Sequence, residues 1–548
     1  MQFVFQSALS SYSKNFMGGR KCRVNITLAL ITLFVPCFFF DAFAISAQTL
    51  EENWKLGITP DIRLSYNRAN NTGDLKNSGG DELGYFSYIY NIPLKIIYKS
   101  RHQFFIKITS EGPSHYAAPL NEITTAVEGS RVKKGGSDSI LYPWISEVWL
   151  KFYPTLSNSI QIGQSPYVIG NGYALGGQYN NYGAAYSYED IVRLRYSILD
   201  VENVNSEIRK DTHSRWLGRS ADSDAYMVAA DLKLRPVNNK TAIVTLQPYI
   251  GLLYDRTAFE KRKQHGYFAN SNTSFRAKRD EIYTYGLSAV VDSPYFTFEL
   301  EAAKNAGETK GEDNQNWGDI KHKGYLIHTA VNGHFGMFTP RAKLVIASGN
   351  EVSTDDYQKY NAGSLKRTEN SAFTVFSPLN TNLVDSFAHI APVPVVAMAG
   401  GYTMNYGIRR PGTFNDPHVW ENISTYNIGL NITPSETSFI MIDYWSLKAM
   451  NAGIGLDANN NIRYLPKDLG NEIDVYATYS ITNLSSNALI GGGVTFGVHG
   501  GYFMPGEYYK TVRNDTSNNW GAAMSQTVRA DGSADSASQM EFFVVYKF

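Results

Sequence analysis

The residues best placed to do chemistry are two arginines, Arg193 and Arg195, in the stretch DIVRLRYSI from Asp190 to Ile198. Two positions apart in an extended segment, they fall on one face. Guanidinium forks hold carboxylates bidentately, so such a pair suits a route for acidic solutes such as uronate chains. The plainer alternative is that each arginine pairs with an acid on a neighbouring strand. Other chemistries have less to stand on. The histidines form no H-E-x-x-H pair, and His322, His328 and His334 recur across a loop and a hairpin without metal-ligand spacing. G-x-S-x-G is absent. The glycines from Gly491 to Gly501 lie in a strand with no following helix and no G-K-S/T, so bends explain them better than a phosphate loop. Asp355 and Asp356 read as a solvated acidic loop rather than a divalent-ion site. The expectation is therefore no enzyme, no cofactor and no metal.

The elements that position these residues are read from the two ends of the chain. Gln539 to Phe548 reads QMEFFVVYKF. Met540, Phe542, Val544, Tyr546 and Phe548 share one face while Glu541, Phe543, Val545 and Lys547 share the other, a period of two that predicts a strand. A terminal apolar strand leaves an unpaired edge unless a closed barrel removes it. Trp54 to Asn67 (WKLGITPDIRLSYN) is the expected partner, alternating without a miss between an apolar face and a face with charges of both signs. Tyr546 and Phe548 resemble the terminal aromatic signal that outer-membrane barrels present to their assembly machinery.

Composition agrees with a barrel. Aromatics make up 14% of the chain and charged residues only 18%, while the mean hydropathy of −0.28 excludes a helical membrane protein. Residues 1–47 are expected to be a cleaved secretory signal: Lys14, Arg20, Lys21 and Arg23 precede an apolar run from Ile26 to Phe40, followed by small-residue sites ending at Ala44 and Ala47. Met17 opens a leader of more ordinary length. Residues 48–548 then form one outer-membrane barrel domain. The leader carries +3 and the whole chain 0, so the remainder carries −3 and offers no global support for binding nucleic acid. Both cysteines, Cys22 and Cys37, fall in the leader, so the mature chain has neither disulfide nor thiolate chemistry.

Between the ends, a long polar loop, a strand, a short turn and a strand repeat, the pattern of an all-β, single transmembrane antiparallel barrel with short periplasmic turns and long extracellular loops. Alternation of loop lengths leaves the count one strand short. Val201 to Lys210 (VENVNSEIRK), which alternates poorly, is assigned to fill it, giving about 18 strands. The loop from Gly349 to Ile423 is long enough to be functional and is expected to fold inward and narrow the pore.

From Asp468 to Lys510 the chain reads DLGNEIDVYATYSITNLSSNALIGGGVTFGVHGGYFMPGEYYK. Leu469, Gly470, Glu472, Ile473, Asp474, Tyr479, Gly501, Phe503, Pro505 and Gly506 resemble the closing motif of the alginate export family. EVWLKFYPTLSNSIQIGQSPYVIGNGYAL at Glu147 to Leu175 is similar to that family's G-R-Q and G-D/N-G segment, and ASGN at Ala347 to Asn350 with FSPL at Phe376 to Leu379 is similar to its ASGD and F-x-P-L. The resemblance implies an eighteen-stranded outer-membrane barrel with a basic lumen that passes an acidic polysaccharide. Two departures weigh against the cargo. Gln164 stands where the family has arginine, and the turn Ile481 to Asn487 is short where the alginate exporter has a gating turn.

With the polar face of each strand taken as inward, the expected substrate pathway is lined by Arg193, Arg195, Arg63, Lys107, Lys233, Arg341 and Lys343, with Glu472 and Asp474 among the inward acids. The expected function is an outer-membrane channel that exports or conducts an acidic polysaccharide such as alginate. The alternative is a general or small-solute uptake porin of the same fold, and a barrel hydrolase is a third reading without a convincing cluster at the strand ends. Expected partners are an anionic polysaccharide or small anionic solutes, outer-membrane lipid, the barrel assembly machinery and, for export, periplasmic components. The barrel is expected to be a monomer in a bacterial outer membrane.

Topology is testable by labelling. Cysteines introduced at Asn77 and Gly363, on long loops, should react with an impermeant thiol reagent on intact cells, and cysteines at Asn239 and Ser485, on short turns, should not. The reverse pattern would invert the orientation.

Overall fold

The structure is a computed structural model that describes residues 54–70, 82–99, 101–109, 144–165, 167–177, 181–199, 225–255, 277–311, 319–351, 353–355, 368–371, 373, 422–452, 454–456, 462–464, 466–481, 492–507 and 535–547. The chain forms two compact units, one of Met1–Gly57 with Ile96–Arg101 and one of Ile58–Lys95 with His102–Phe548. In the small unit the Trp54 and Tyr98 rings lie 4.5 Å apart. The chain there turns through Lys99 at φ 48°, with the Arg101 N–H donating to the Tyr98 carbonyl at 3.1 Å.

Eighteen strands make a closed antiparallel barrel. They are β1 (Asp61–Asn70), β2 (Glu82–Tyr98), β3 (His102–Thr109), β4 (Trp144–Phe152), β5 (Asn158–Gln164), β6 (Asn181–Tyr188), β7 (Val192–Leu199), β8 (Ala225–Leu232, continued by Leu234–Asn238) and β9 (Ile243–Asp255). The ring goes on with β10 (Ala277–Asp292), β11 (Phe296–Gly311), β12 (Tyr325–Gly333), β13 (Phe338–Ala347), β14 (Ile423–Ser435), β15 (Ser438–Ala449), β16 (Asp468–Ile481), β17 (Gly493–Pro505) and β18 (Ala537–Lys547). Each strand pairs with its neighbours in sequence. β18 returns to β1 in the register Asp61↔Lys547, Leu64↔Val544, Tyr66↔Phe542, which closes the ring as the terminal strands predict. Connections at one end are short, such as 189–191 and 293–295, and those at the other end are long, such as 110–143 and 348–422.

Alternation sorts the side chains as a lipid-facing barrel requires. Leu64, Leu194, Ile250, Ile428, Val475 and Phe542 are exposed on the outside, whereas Ser65, Arg195, Asn427, Asp474 and Glu541, at adjacent positions, are buried on the inside. Ile428 at 61% exposure beside Asn427 at 1% fixes the phase of β14. A closed ring satisfies every strand's backbone without water, the one β solution to crossing a bilayer. With its apolar outer face it places the chain in a bacterial outer membrane.

Three sequence expectations need correction. The strand that completes the ring of eighteen is β6 rather than Val201–Lys210: β7 pairs directly with β8 and with β6, so no strand stands between β7 and β8 in the barrel wall. β6 escapes notice because Gly183, Ala184 and Ala185 weaken its alternation. Its turn, Glu189–Asp190, also adopts the doubly positive φ of a primed hairpin (48° and 56°) without asparagine or glycine. Second, Trp54–Asn67 is two strands, Trp54–Ile58 and β1, broken before Pro60, which has no N–H to give a ladder. Third, the strand that carries the glycine run, β17, begins at Gly493, so Gly492 precedes it. Residues 1–47, Val201–Lys210, most of the loop 349–423 and Phe548 lie outside the described residues.

The closing seam is packed from within. Gly497 on β17 faces Phe543 on β18, and a Cβ at Gly497 would lie 2.0 Å from the Phe543 ring. Phe543 stacks on Tyr476 at 5.9 Å and lies 4.0 Å beneath the Arg63 guanidinium, while Arg63 pairs with Glu541 at 2.6 Å. Gly497→Ala should therefore destabilise the barrel by about 1–3 kcal/mol through overpacking. Adding Phe543→Ala should recover part of that loss, because it vacates the same space. Urea unfolding in detergent, read by heat-modifiable migration, checks this. Additive losses in the double variant would contradict the packing.

Candidate functional site

The arginine pair of β7 does face the lumen, but its two members have different surroundings. Arg193 stands opposite Asp231 of β8 and grips it with both ends of its fork, Nε donating to Oδ1 at 2.9 Å and Nη2 donating to Oδ2. Gln247 of β9 donates to the same carboxylate. For Arg193 the cross-strand ion pair is thus what forms. Arg195 is buried, donates from Nε to Ser197 at 2.9 Å and from Nη1 to the Ser165 hydroxyl at 3.2 Å, and lies 4.9 Å from the Tyr167 ring. Ser165 and Tyr167 belong to the connection between β5 and β6.

That connection turns into the barrel. Tyr167–Ile169 and Leu175–Gly177 form a small antiparallel hairpin of their own. Tyr167, Ile169, Tyr173, Ala174 and Leu175 are buried with Met227, Tyr249, Leu253 and Ala303, which are inward residues of β8, β9 and β11. At its tip, Gly170 and Gly172 take φ 62° and 84°, a left-handed conformation open to glycine. The N–H groups of Asn171, Tyr173 and Ala174 consequently point at one acceptor, the fully buried Glu301 carboxylate of β11, at 3.0, 3.3 and 3.1 Å. The Tyr249 hydroxyl adds a fourth hydrogen bond at 2.7 Å. Hydrogen bonds to a charged group contribute about 1.5–3 kcal/mol each, and a buried carboxylate without them would not be tolerated.

The wall is cut to receive this tip. A Cβ on Gly251 would lie 2.8 Å from Leu175, and one on Gly286 would lie 2.4 Å from the Tyr249 ring that reaches Glu301. The Tyr167 hydroxyl donates to the Met227 sulfur at 3.1 Å, and the Tyr173 ring lies 3.8 Å from that of His328. Burial raises the pKa of both phenols, with the charge of Arg195 opposing the shift at Tyr167 and those of Glu299 and Glu301 reinforcing it at Tyr173. The G-N-G segment was singled out in the sequence, and alternation puts Glu301 on the inward face of its strand; what the sequence did not give is the contact between them.

The other expected lumen residues separate into groups. Arg63 pairs with Glu541. Arg341 on β13 reaches over β14 to Asp443 on β15, Nε to Oδ1 at 3.1 Å, across Gly429, where a side chain would displace both. Asp443 was missed, although alternation in FIMIDYW puts it between outward Ile442 and Tyr444. Lys343 lies 6.0 Å from the Trp445 ring. Glu472 and Asp474 are buried on the inner face of β16, beside Trp445 and Asp443 in register. Lys107 stands opposite Glu147. Lys233 lies instead at the short-turn end, 3.2 Å from Asp190.

The motif residues that carried the family resemblance shape the loop ends. Gly470, at φ 114°, and Gly506 approach each other so closely that a Cβ on Gly506 would meet the Gly470 nitrogen at 2.6 Å, and Gly506 N–H donates to the Leu469 carbonyl at 3.2 Å. Leu469 and Phe503 are buried next to them, Ile473 faces outward, and Gly501 and Pro505 pair with Asp474 and Gly470. Ser348 and Asn350 of ASGN likewise tie a loop root, Ser348 accepting from the Tyr325 N–H at 2.7 Å and Asn350 accepting from the Ser371 N–H at 2.8 Å. Tyr546, in register with Ile62, lies in the seam.

No known family profile matches the chain, and no curated protein matches it. Solved structures similar to it include three from Pseudomonas aeruginosa. OpdO is 10% identical with a TM-score of 0.42 over 90% of this chain and 97% of that one. The outer membrane protein OprD is 9% identical with a TM-score of 0.41 over 90% and 93%. OccK2 (OpdF) in complex with glucuronate is 9% identical with a TM-score of 0.41 over 90% and 98%.

Proposed function

We propose that this chain is an outer-membrane diffusion channel for small solutes, the alternative drawn from the sequence, rather than an exporter of acidic polysaccharide. The observation that carries the reading is the Tyr167–Leu175 segment, buried against the inner wall where a polymer would need open bore. The charge arrangement supports it too. A polyuronate needs a continuous run of cations to replace its hydration, whereas Arg63, Arg193 and Arg341 each hold a wall carboxylate. Such paired charges make a polar lining of little net sign, suited to small hydrophilic solutes, anionic ones included. Arg195, placed at the root of the inserted segment, serves the constriction rather than a sugar track.

Liposome swelling and planar-bilayer conductance test the reading together. Monosaccharides and small carboxylates should enter, oligouronates should neither enter nor block more than neutral oligosaccharides of equal length, and potassium and chloride should permeate comparably. Asp231→Asn, which uncovers the Arg193 charge, should shift selectivity toward chloride by about two- to threefold, as expected for one screened interaction of ~0.5 kcal/mol. Selective block by oligouronates with strong chloride preference in the wild type would return the polysaccharide reading.

A further inference from the structure

The turn that carries Asn171 to Ala174 is, by its backbone alone, an anion receptor. Left-handed Gly170 and Gly172 make its N–H groups converge on one point, as in the nests that hold phosphates and carboxylates. Its occupant here is a carboxylate of the protein's own wall, Glu301, which takes hydrogen bonds from Asn171, Tyr173 and Ala174. Other wall groups meet the tip by packing, the Tyr173 ring against His328 and Leu175 against Gly251. Among the described residues, neither ring nitrogen of His328, beside Tyr173, has a hydrogen-bond partner. Asn171 Nδ2 donates to the Leu300 carbonyl at 3.2 Å, a neutral contact next to the same residue. The hydrogen bonds from Arg195 to Ser165 and from Tyr167 to Met227 fix the root of the segment.

We propose that the Asn171–Ala174 nest is an anion-binding site whose resident ligand is Glu301, and that this positioning residue is the latch keeping the inserted segment in the lumen. Unlatched, the tip leaves the wall and the bore widens. The inference deepens the small-solute reading, which gives the inserted segment its task, but the latch is measurable without conduction.

The experiment uses the full chain with Ala174→Cys as a reporter, since Ala174 is fully buried and the chain's two cysteines, Cys22 and Cys37, both precede the barrel. In the otherwise unaltered barrel this thiol should resist an aqueous reagent. Combined with Glu301→Ala it should react at least about tenfold faster, the change in open population expected from losing one hydrogen bond to a charged group. Single-channel conductance of Glu301→Ala should rise. Acetate, which fits the vacated space and refills the nest, should restore protection and the smaller conductance, and acetamide should not. Tyr249→Phe, which keeps the ring and removes one of Glu301's partners, should give a smaller acceleration and serves if Glu301→Ala does not fold. Wild-type labelling rates in folded Glu301→Ala and Tyr249→Phe, or rescue by acetamide equal to that by acetate, would overturn the latch. If the wild type does not conduct while the labelling pattern appears as expected, the channel reading fails and the latch stands.

Discussion

Everything in this molecule depends on the pairing of its first barrel strand with its last. In hydrocarbon each unpaired backbone group is costly, so a sheet can span a bilayer only when it has no edge. The register Asp61↔Lys547 to Asn70↔Ser538 removes that edge. Closure then dictates the side chains. One face of every strand must be apolar toward lipid, so polar and charged residues are confined to the inside.

Inside, several of the charged residues find partners on other strands. Arg193 and Asp231 face each other on neighbouring strands, and Arg341 reaches Asp443 because Gly429 of the intervening strand offers no side chain. Taking charges out of water is expensive unless they are paired and hydrogen-bonded, and Glu301 meets that condition by recruiting the backbone of a loop. The connection between β5 and β6 thereby becomes part of the wall's electrostatics as well as an obstruction of its bore. Glycines at 170, 251 and 286 remove the steric objections to that docking.

The frame was legible in the sequence because a period of two survives in single strands: the phase of β18, with Phe542 outward and Phe543 inward, follows from QMEFFVVYKF alone. β6 was not legible, since small residues at Gly183 to Ala185 erase the contrast between faces and its Glu-Asp turn lacks the usual turn residues. The inward direction of Arg193 and Arg195 was readable, but their partners were not. Partnership depends on register, which places Asp231 opposite Arg193, and on a loop path that brings Ser165 beneath Arg195. Least readable was the nest. Ala174 and Glu301 are 127 positions apart, and no local pattern links a G-N-G turn to an acid on a distant strand.

The central claim is that the segment after β5 lies folded against the inner wall, with its tip amides engaged. Amide hydrogen exchange of the folded barrel in detergent tests this most directly. The N–H groups of Asn171, Tyr173 and Ala174 should exchange as slowly as those of the β9 and β11 strands they lie against, because they are bonded and buried. Exchange as fast as that of an exposed loop would contradict the account and leave the barrel without the constriction described here.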